Sequence, residues 1–300
     1  KHSVGGNMED YIVRATAGEG TVRAVAAVTT NIVRRAKDIH KLSPLASAAL
    51  GRVLTGIAIM STTLKNESDT ITIQIKGDGP IGGIVAVSDA HANVRGYVYN
   101  PMVNLPLNDK GKFDVGRAVG KGYLNVIKDM GLREPYIGYV DLVSGEIAED
   151  IAYYYAFSEQ VPTVFSCGVL VDTDTSILEA GGYMIQLLPG ASEEMVGLLE
   201  NKVAGIKPIT TLLREGNTPE DILDLVLGDL GLNIIGKNET KYKCYCSRER
   251  MEKNLLSLGR KELEDMMAQQ HGARLECHFC NETYYFSEEE IRSLLKDSLA

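Results

Sequence analysis

The sequence predicts an α+β fold, and three observations carry that prediction. Strand-like and helix-like apolar periods succeed one another irregularly as far as Leu188, unlike the regular alternation of a doubly wound sheet. After Pro189-Gly190 the period becomes helical. Four of the five cysteines then fall in the last fifth of the chain, as Cys244-Tyr245-Cys246 and Cys277-His278-Phe279-Cys280. Together they predict an N-terminal mixed sheet-and-helix domain over 8–189, a helical connector over 190–237 and a small C-terminal zinc-binding domain over 238–300.

The elements follow from local pattern. Two alternating segments between Glu9 and Thr29 flank Gly18-Glu19-Gly20 and read as a hairpin. A helix is expected over Thr30–His40. Ser43-Pro44 then supplies a cap and first-turn proline for a second helix toward Thr63, apolar on most faces and therefore buried against a sheet. Strands are expected at Thr70–Lys76, Ile81–Val87, Val94–Tyr99, Tyr123–Lys128 and Tyr136–Val143, a helix at Glu146–Gln160, and strands at Thr163–Val171 and Ile177–Leu188. Tyr153, Tyr154, Tyr155 and Phe157 read as core and groove lining. In the connector, Met195, Leu198, Leu199 and Val203 recur at helical spacing, and Asn217-Thr218-Pro219-Glu220-Asp221 opens a second amphipathic helix bearing Ile222, Leu225 and Val226. Ser287 and Glu290 form a capping box for the last helix.

Two glycine-rich segments imitate nucleotide loops. Gly77-Asp78-Gly79-Pro80-Ile81-Gly82 matches the dinucleotide fingerprint in form, but a β-like run follows it where a helix N-terminus would have to receive the pyrophosphate. A hairpin turn is expected instead. Gly116–Gly122 is one residue short of a phosphate loop and lacks the hydroxyl residue after lysine.

At 300 residues and 44% hydrophobic content the chain can bury a sizeable core and split into two or more units. A net charge of −9 argues against nucleic acid as the main partner, because phosphate binding needs clustered cations. Residues 238–300 carry ten Lys and Arg against twelve Asp and Glu, so the cysteine region has no basic excess either. No apolar run reaches the roughly 18–20 residues of a membrane span, so no membrane partner is expected. Residues 1–7 read as a vector-derived remnant, with translation beginning at Met8. Cysteine usage fits the cytoplasm, where metal-spaced thiols replace the dispersed pairs of secreted scaffolds. Cys167 sits in an apolar strand-like run and is expected to be a buried, inert thiol.

Two close cysteine pairs joined by a thirty-residue spacer can gather four sulfurs around one ion, each pair gripping two corners of a tetrahedron. Zn²⁺ suits that set, and four thiolates complete its shell without His271 or His278. The second pair has the two-residue gap of a zinc knuckle. The first has one residue between its sulfurs, which is uncommon in a purely structural site. Cysteines two apart in an extended segment have Cα atoms about 6.6–7 Å apart, at the upper edge of what a disulfide spans, so a bond there can form with strain. A strained disulfide is readily reduced and suits a reversible switch. An inert structural site and an oxidant-sensitive one both remain open at this point. Lys241, Lys243, Arg248 and Arg250 flank the first pair, either sharpening its reactivity or forming a solvated face.

The order of these residues resembles a known family. Cys246-Ser247-Arg248-Glu249-Arg250 opening a helix, Leu255–Gly259 closing it, a second helix, then Glu276-Cys277-His278-Phe279-Cys280 and Tyr284-Tyr285-Phe286 is similar to the redox-regulated heat-shock holdases of bacteria, the thirty-three-kilodalton oxidation-activated chaperones. The resemblance runs from Met8 onward. It implies an ATP-independent chaperone of the stress response, inactive while Cys244, Cys246, Cys277 and Cys280 hold Zn²⁺. It further implies activation by disulfides Cys244–Cys246 and Cys277–Cys280 with loss of zinc and of order in the connector. The active form would bind unfolded or partly folded clients, often as a homodimer, and pass them to ATP-dependent foldases. No serine-hydrolase elbow or His-Glu-x-x-His motif points to an enzyme. The competing reading is a zinc-ribbon module that binds nucleic acid or a fixed protein partner without redox switching.

Overall fold

The structure is a computed structural model that describes residues 9–297; the expected remnant and Met8 lie outside the described residues. The chain divides into two compact units, one ending at Lys243 and the other beginning at Cys244.

The first unit opens with strands β1 (Tyr11–Ala17) and β2 (Val22–Val28), paired antiparallel across Gly18–Gly20. That turn needs left-handed backbone at three successive residues, which glycine adopts freely at two of them. Helices α1 (Thr30–His40) and α2 (Pro44–Ser61) follow. Ser43 caps α2 by accepting a hydrogen bond from the Ala46 amide, and Pro44 occupies the first turn, as the sequence predicted. Seven strands and two helices complete the middle of the chain: β3 (Thr70–Gly77), β4 (Ile84–Asp89), β5 (Asn93–Val98), α3 (Val115–Val119), β6 (Gly122–Asp129), β7 (Tyr136–Asp141), α4 (Ala148–Phe157), β8 (Thr163–Val171) and then β9 (Ile177–Leu187).

Every residue of α2 except Pro44 and Arg52 is buried, because the helix runs between two sheets. One sheet has the order β11-β5-β4-β3-β6-β7 and the other β10-β1-β2-β9-β8, where β10 is Asn233–Glu239 and β11 is Lys241–Tyr242. By length and composition α2 alone among the described helices could cross a membrane, but its apolar faces are spent on β2, β8 and β9 on one side and β3, β4 and β5 on the other. Gly51 makes this close packing possible: a Cβ there would stand 2.6 Å from a Val169 methyl and 2.9 Å from one of Val33.

The glycine-rich segment after β3 is a tight connection between antiparallel strands, as expected, and no helix follows it. Its amides at Asp78, Gly79 and Ile81 donate to the carbonyls of Lys121, Val119 and Ala118. A Cβ on Gly77 would lie 1.9 Å from the Val119 carbonyl oxygen, so that glycine serves close backbone approach. Gly116–Gly122 forms α3 and the entry to β6.

Helices α5 (Glu193–Ala204), α6 (Ile209–Arg214) and α7 (Pro219–Leu227) lie on the first unit. Leu199, Ile209, Leu212, Leu213, Ile222, Leu223, Val226 and Leu227 form a second core with the outer faces of β1, β2 and β9, including Val13, Ala15, Val22, Ala24, Ala26, Tyr183 and Ile185. Strand β10 follows these helices within the stretch expected to be helical, and pairs antiparallel with β1. Backbone hydrogen bonds hold it there, for six of its seven residues are exposed. Strand β11 pairs with β5, and the Lys243 amide donates to the Val94 carbonyl, so the first unit extends to the residue before the first metal-spaced cysteine.

Asp10 holds the start of α1: its two carboxylate oxygens accept from the amides of Asn31 and Ile32. Burial raises its pKa from 3.8 to about 6, against the lowering effect of those amides. The protonated form is therefore favoured by folding, and stability contributed through this group is lost as pH rises from about 4 to about 6, by on the order of 3 kcal/mol. The difference in melting temperature between the native chain and Asp10→Asn, scanned over that range, is expected to shrink as pH rises. A difference independent of pH would assign Asp10 an ordinary pKa. Separately, Leu54→Ala in α2 should cost about 2–5 kcal/mol in denaturant unfolding, while Leu225→Ala, exposed on α7, should change it by about 0.5 kcal/mol or less.

Candidate metal centre

The second unit contains α8 (Arg248–Ser257), α9 (Arg260–Gln270), the hairpin of β12 (Gly272–Glu276) and β13 (Thr283–Ser287), and α10 (Glu288–Asp297). Among the described residues its buried core is eight side chains: Met251, Leu255, Leu263, Ala273, Cys277, Phe286, Ile291 and Leu295. So small a core gives a marginal fold unless something cross-links it.

Each cysteine pair sits on a loop whose shape the neighbouring residues determine. At the hairpin tip the Cys277 amide donates to the Glu282 carbonyl at 2.9 Å, and the amides of Cys280 and Asn281 both donate back to the Cys277 carbonyl, at 3.2 and 2.7 Å. Asn281 takes the left-handed conformation that closes the loop, at a φ of 59° that asparagine tolerates well. The first pair lies just ahead of α8, whose cap is Ser247, accepting from the Arg250 amide. Arg250 donates to the Tyr245 carbonyl between the two cysteines, at 3.0 Å.

These loops bring all four sulfurs together. The Sγ atoms of Cys244, Cys246, Cys277 and Cys280 lie within 4.8 Å of one another, with Cys244 and Cys277 3.6 Å apart and Cys246 and Cys280 3.3 Å apart. All four are free thiols. A tetrahedral ion with metal–sulfur bonds near 2.3 Å sets its sulfurs about 3.8 Å apart, so the cluster can hold one metal ion with little movement. Cys277 is buried and the other three are partly buried. Among the described residues no histidine nitrogen or carboxylate joins the group.

Electrostatics make the four thiols unequal. Burial pushes Cys244 up to about 11, and burial together with hydrogen bonding among the sulfurs also raises Cys280. Cys246 is shifted the other way: burial opposes its ionisation, but donation from the Tyr284 hydroxyl, 3.2 Å away, and from the neighbouring thiols outweighs it. The sequence showed Tyr284 as one of an aromatic run and gave no sign of this contact, which requires Leu275 and Tyr284 to be paired across the hairpin. The flanking arginines do other work. Arg248 donates to the Tyr285 carbonyl, pairs with Glu290 at 2.6 Å and lies over the Phe286 ring, tying α8 to the hairpin and α10. His271 is solvent-exposed, 3.9 Å from Glu288. Cys167 belongs to β8 in the first unit, partly buried, with its thiol pushed up to about 12 by desolvation.

Comparison with known proteins agrees with this arrangement. The family model described as Hsp33 protein matches residues 10–287. The chain belongs to the Hsp33 family. The 33 kDa chaperonin of Acetivibrio thermocellus is 60% identical over 289 residues, covering 96% of this chain and 98% of that one. That of Ruminiclostridium cellulolyticum is 53% identical, covering 97% and 100%. The crystal structure of the 33 kDa chaperonin (heat shock protein 33 homolog) from Thermotoga maritima superposes with a TM-score of 0.90 at 42% identity, over 97% of this chain and 99% of that one. Family membership makes the chain a chaperone of the Hsp33 type, with the α+β architecture read from its sequence and a cysteine cluster able to bind metal.

Metal analysis of the purified, reduced chain is expected to find a single ion per chain, lost on replacing any one of Cys244, Cys246, Cys277 or Cys280 by serine and retained in Cys167→Ser. Retention of the ion by two or more of the four single variants would remove the four-sulfur site.

Proposed function

We propose that this protein is a redox-regulated, ATP-independent holdase that binds unfolding proteins under oxidative and heat stress, inactive when reduced and zinc-bound. The observation that carries the proposal is the convergence of four free thiols, one pair separated by a single residue, in a module with an eight-residue core. Zinc is the ion that four thiolates at tetrahedral spacing suit, and when bound it cross-links both loops and keeps the sulfurs as thiolates, with roughly 10–16 kcal/mol of folding free energy in small modules. The protein acts by binding and not by catalysis.

The switch is assigned to disulfides Cys244–Cys246 and Cys277–Cys280. Each forms one S–S bond from two thiolates and gives up two electrons, which together with two protons from solvent reduce one hydrogen peroxide to two waters. Sulfurs committed to disulfides no longer supply the thiolates that bridge the two loops, and the small core is left to hold the module alone. Loss of order then extends to the helical connector. What the connector covers supports this reading: α5, α6 and α7 lie over a contiguous apolar face of β1, β2 and β9, a surface suited to non-native polypeptide. On the same reading the active form is a homodimer, acts in the cytoplasm and hands its clients to ATP-dependent foldases. Neither nucleic acid nor a membrane is its partner.

Peroxide treatment at elevated temperature is expected to convert a chain that does not suppress citrate synthase aggregation into one that does. One zinc should be released for every four thiols consumed. Equal suppression by the reduced and oxidised chains would eliminate the switch, and suppression by neither would eliminate the holdase.

A further inference from the structure

The alternation of β13 turns Tyr284 and Phe286 toward the core of the second unit, while Tyr285 between them points outward and is exposed. Across the hairpin Tyr284 is paired with Leu275, and Phe286 with Ala273. Packing at position 284 asks for an aromatic ring, which phenylalanine would supply equally well. The hydroxyl has a different use: it reaches the sulfur cluster and donates to Cys246 Sγ at 3.2 Å. Two of the other sulfurs are served by the main chain, Cys244 by the Cys246 amide and Cys280 by the Glu282 amide. Those donors come with the loops. The donor to Cys246 comes from a side chain on another strand and can be removed without changing the backbone.

We propose that Tyr284 is a positioning residue for Cys246, its hydroxyl holding that sulfur in the metal-binding set and slowing the attack of that sulfur on oxidants. Four thiolates outweigh the charge of one divalent ion, so each sulfur keeps an excess of negative charge that a hydrogen-bond donor stabilises. The donor also fixes the direction of the ligand, the part that outer partners play at metal sites. It draws electron density from the sulfur as well, and a thiolate with less density to share is a slower nucleophile. In the attack that is slowed, Sγ forms a bond to one peroxide oxygen, the O–O bond breaks, and the other oxygen leaves as hydroxide and takes a proton from solvent. Cys277 is buried, whereas Cys246 is partly exposed and open to oxidant, so the protection of Cys246 has to be electronic. The inference rests on the redox-switch reading, whose oxidant threshold it assigns to a side chain outside the four candidate ligands.

The test compares the full, reduced, zinc-loaded chain with Tyr284→Phe, Tyr284→Leu and, as a control, Tyr285→Phe. In competition with a chromophoric chelator, Tyr284→Phe is expected to hold zinc about tenfold less tightly, and Tyr285→Phe as tightly as the native chain. With cobalt in place of zinc, the sulfur-to-metal charge-transfer band of Tyr284→Phe should move to longer wavelength, because a sulfur relieved of its donor gives up an electron more easily. Iodoacetamide labelling, followed residue by residue, should speed up about threefold at Cys246 relative to Cys244 and Cys280. Native affinity, band position and Cys246 labelling in Tyr284→Phe, with metal lost only in Tyr284→Leu, would make Tyr284 a packing residue and overturn the proposal. Equal acceleration at all four cysteines, or loss of amide protection in the β12–β13 hairpin of Tyr284→Phe, would overturn it too. Peroxide-induced suppression of citrate synthase aggregation, measured on the same samples, separates the two ideas. Suppression gained by the native chain, with native labelling in Tyr284→Phe, leaves the switch and removes the role of the tyrosine. Faster Cys246 labelling in Tyr284→Phe, with suppression gained by neither chain, keeps the tyrosine at the metal centre and removes the switch.

Discussion

The convergence of four sulfurs is the constraint on which the small second unit depends. Its eight-residue core includes one of the candidate ligands, Cys277, so the apolar interior and the metal-binding set are not separable. A module of this size without a cross-link sits near the threshold where folding free energy and chain entropy cancel. The two loops that carry the thiols are stiffened locally, one by amides folded back on the Cys277 carbonyl, the other by Arg250 holding the carbonyl of Tyr245. Stiff loops lower the entropy lost on binding an ion. They do not themselves join the two chain segments, which meet at the sulfurs and through Arg248 on Tyr285 and Glu290.

The first unit is organised differently, around a helix buried on all sides. Because α2 is enclosed by both sheets, it is held by packing against residues of the first unit. The connector is a separate layer: its core with β1, β2 and β9 is distinct from the one around α2. A protein built this way can lose its outer layer and keep its inner one.

Much of this was legible in the amino-acid pattern. Helix α1, the capped start of α2 and the strands from β3 to β9 stand close to where periodicity and turn residues put them, although β4 begins at Ile84 and not at Ile81. Strand β10 was not legible, since six of its seven side chains are exposed and it is held by main-chain bonds that have no side-chain signature. Strand β11 is too short to have a period. The spacing of Cys244, Cys246, Cys277 and Cys280 pointed to one cluster, which the structure brings together within 4.8 Å. The contact from Tyr284 to Cys246 escaped notice because it depends on hairpin register, and the flanking arginines proved to brace the backbone and the hairpin.

The enclosure of α2 has a consequence for synthesis. This eighteen-residue apolar segment emerges from the ribosome before five of the six strands that will cover it, β3, β4, β5, β8 and β9, the last of which ends at Leu187. At ordinary elongation rates the delay is on the order of ten seconds. Throughout that interval part of this apolar helix has no cover within its own chain, the same exposed condition that chaperones meet in other proteins.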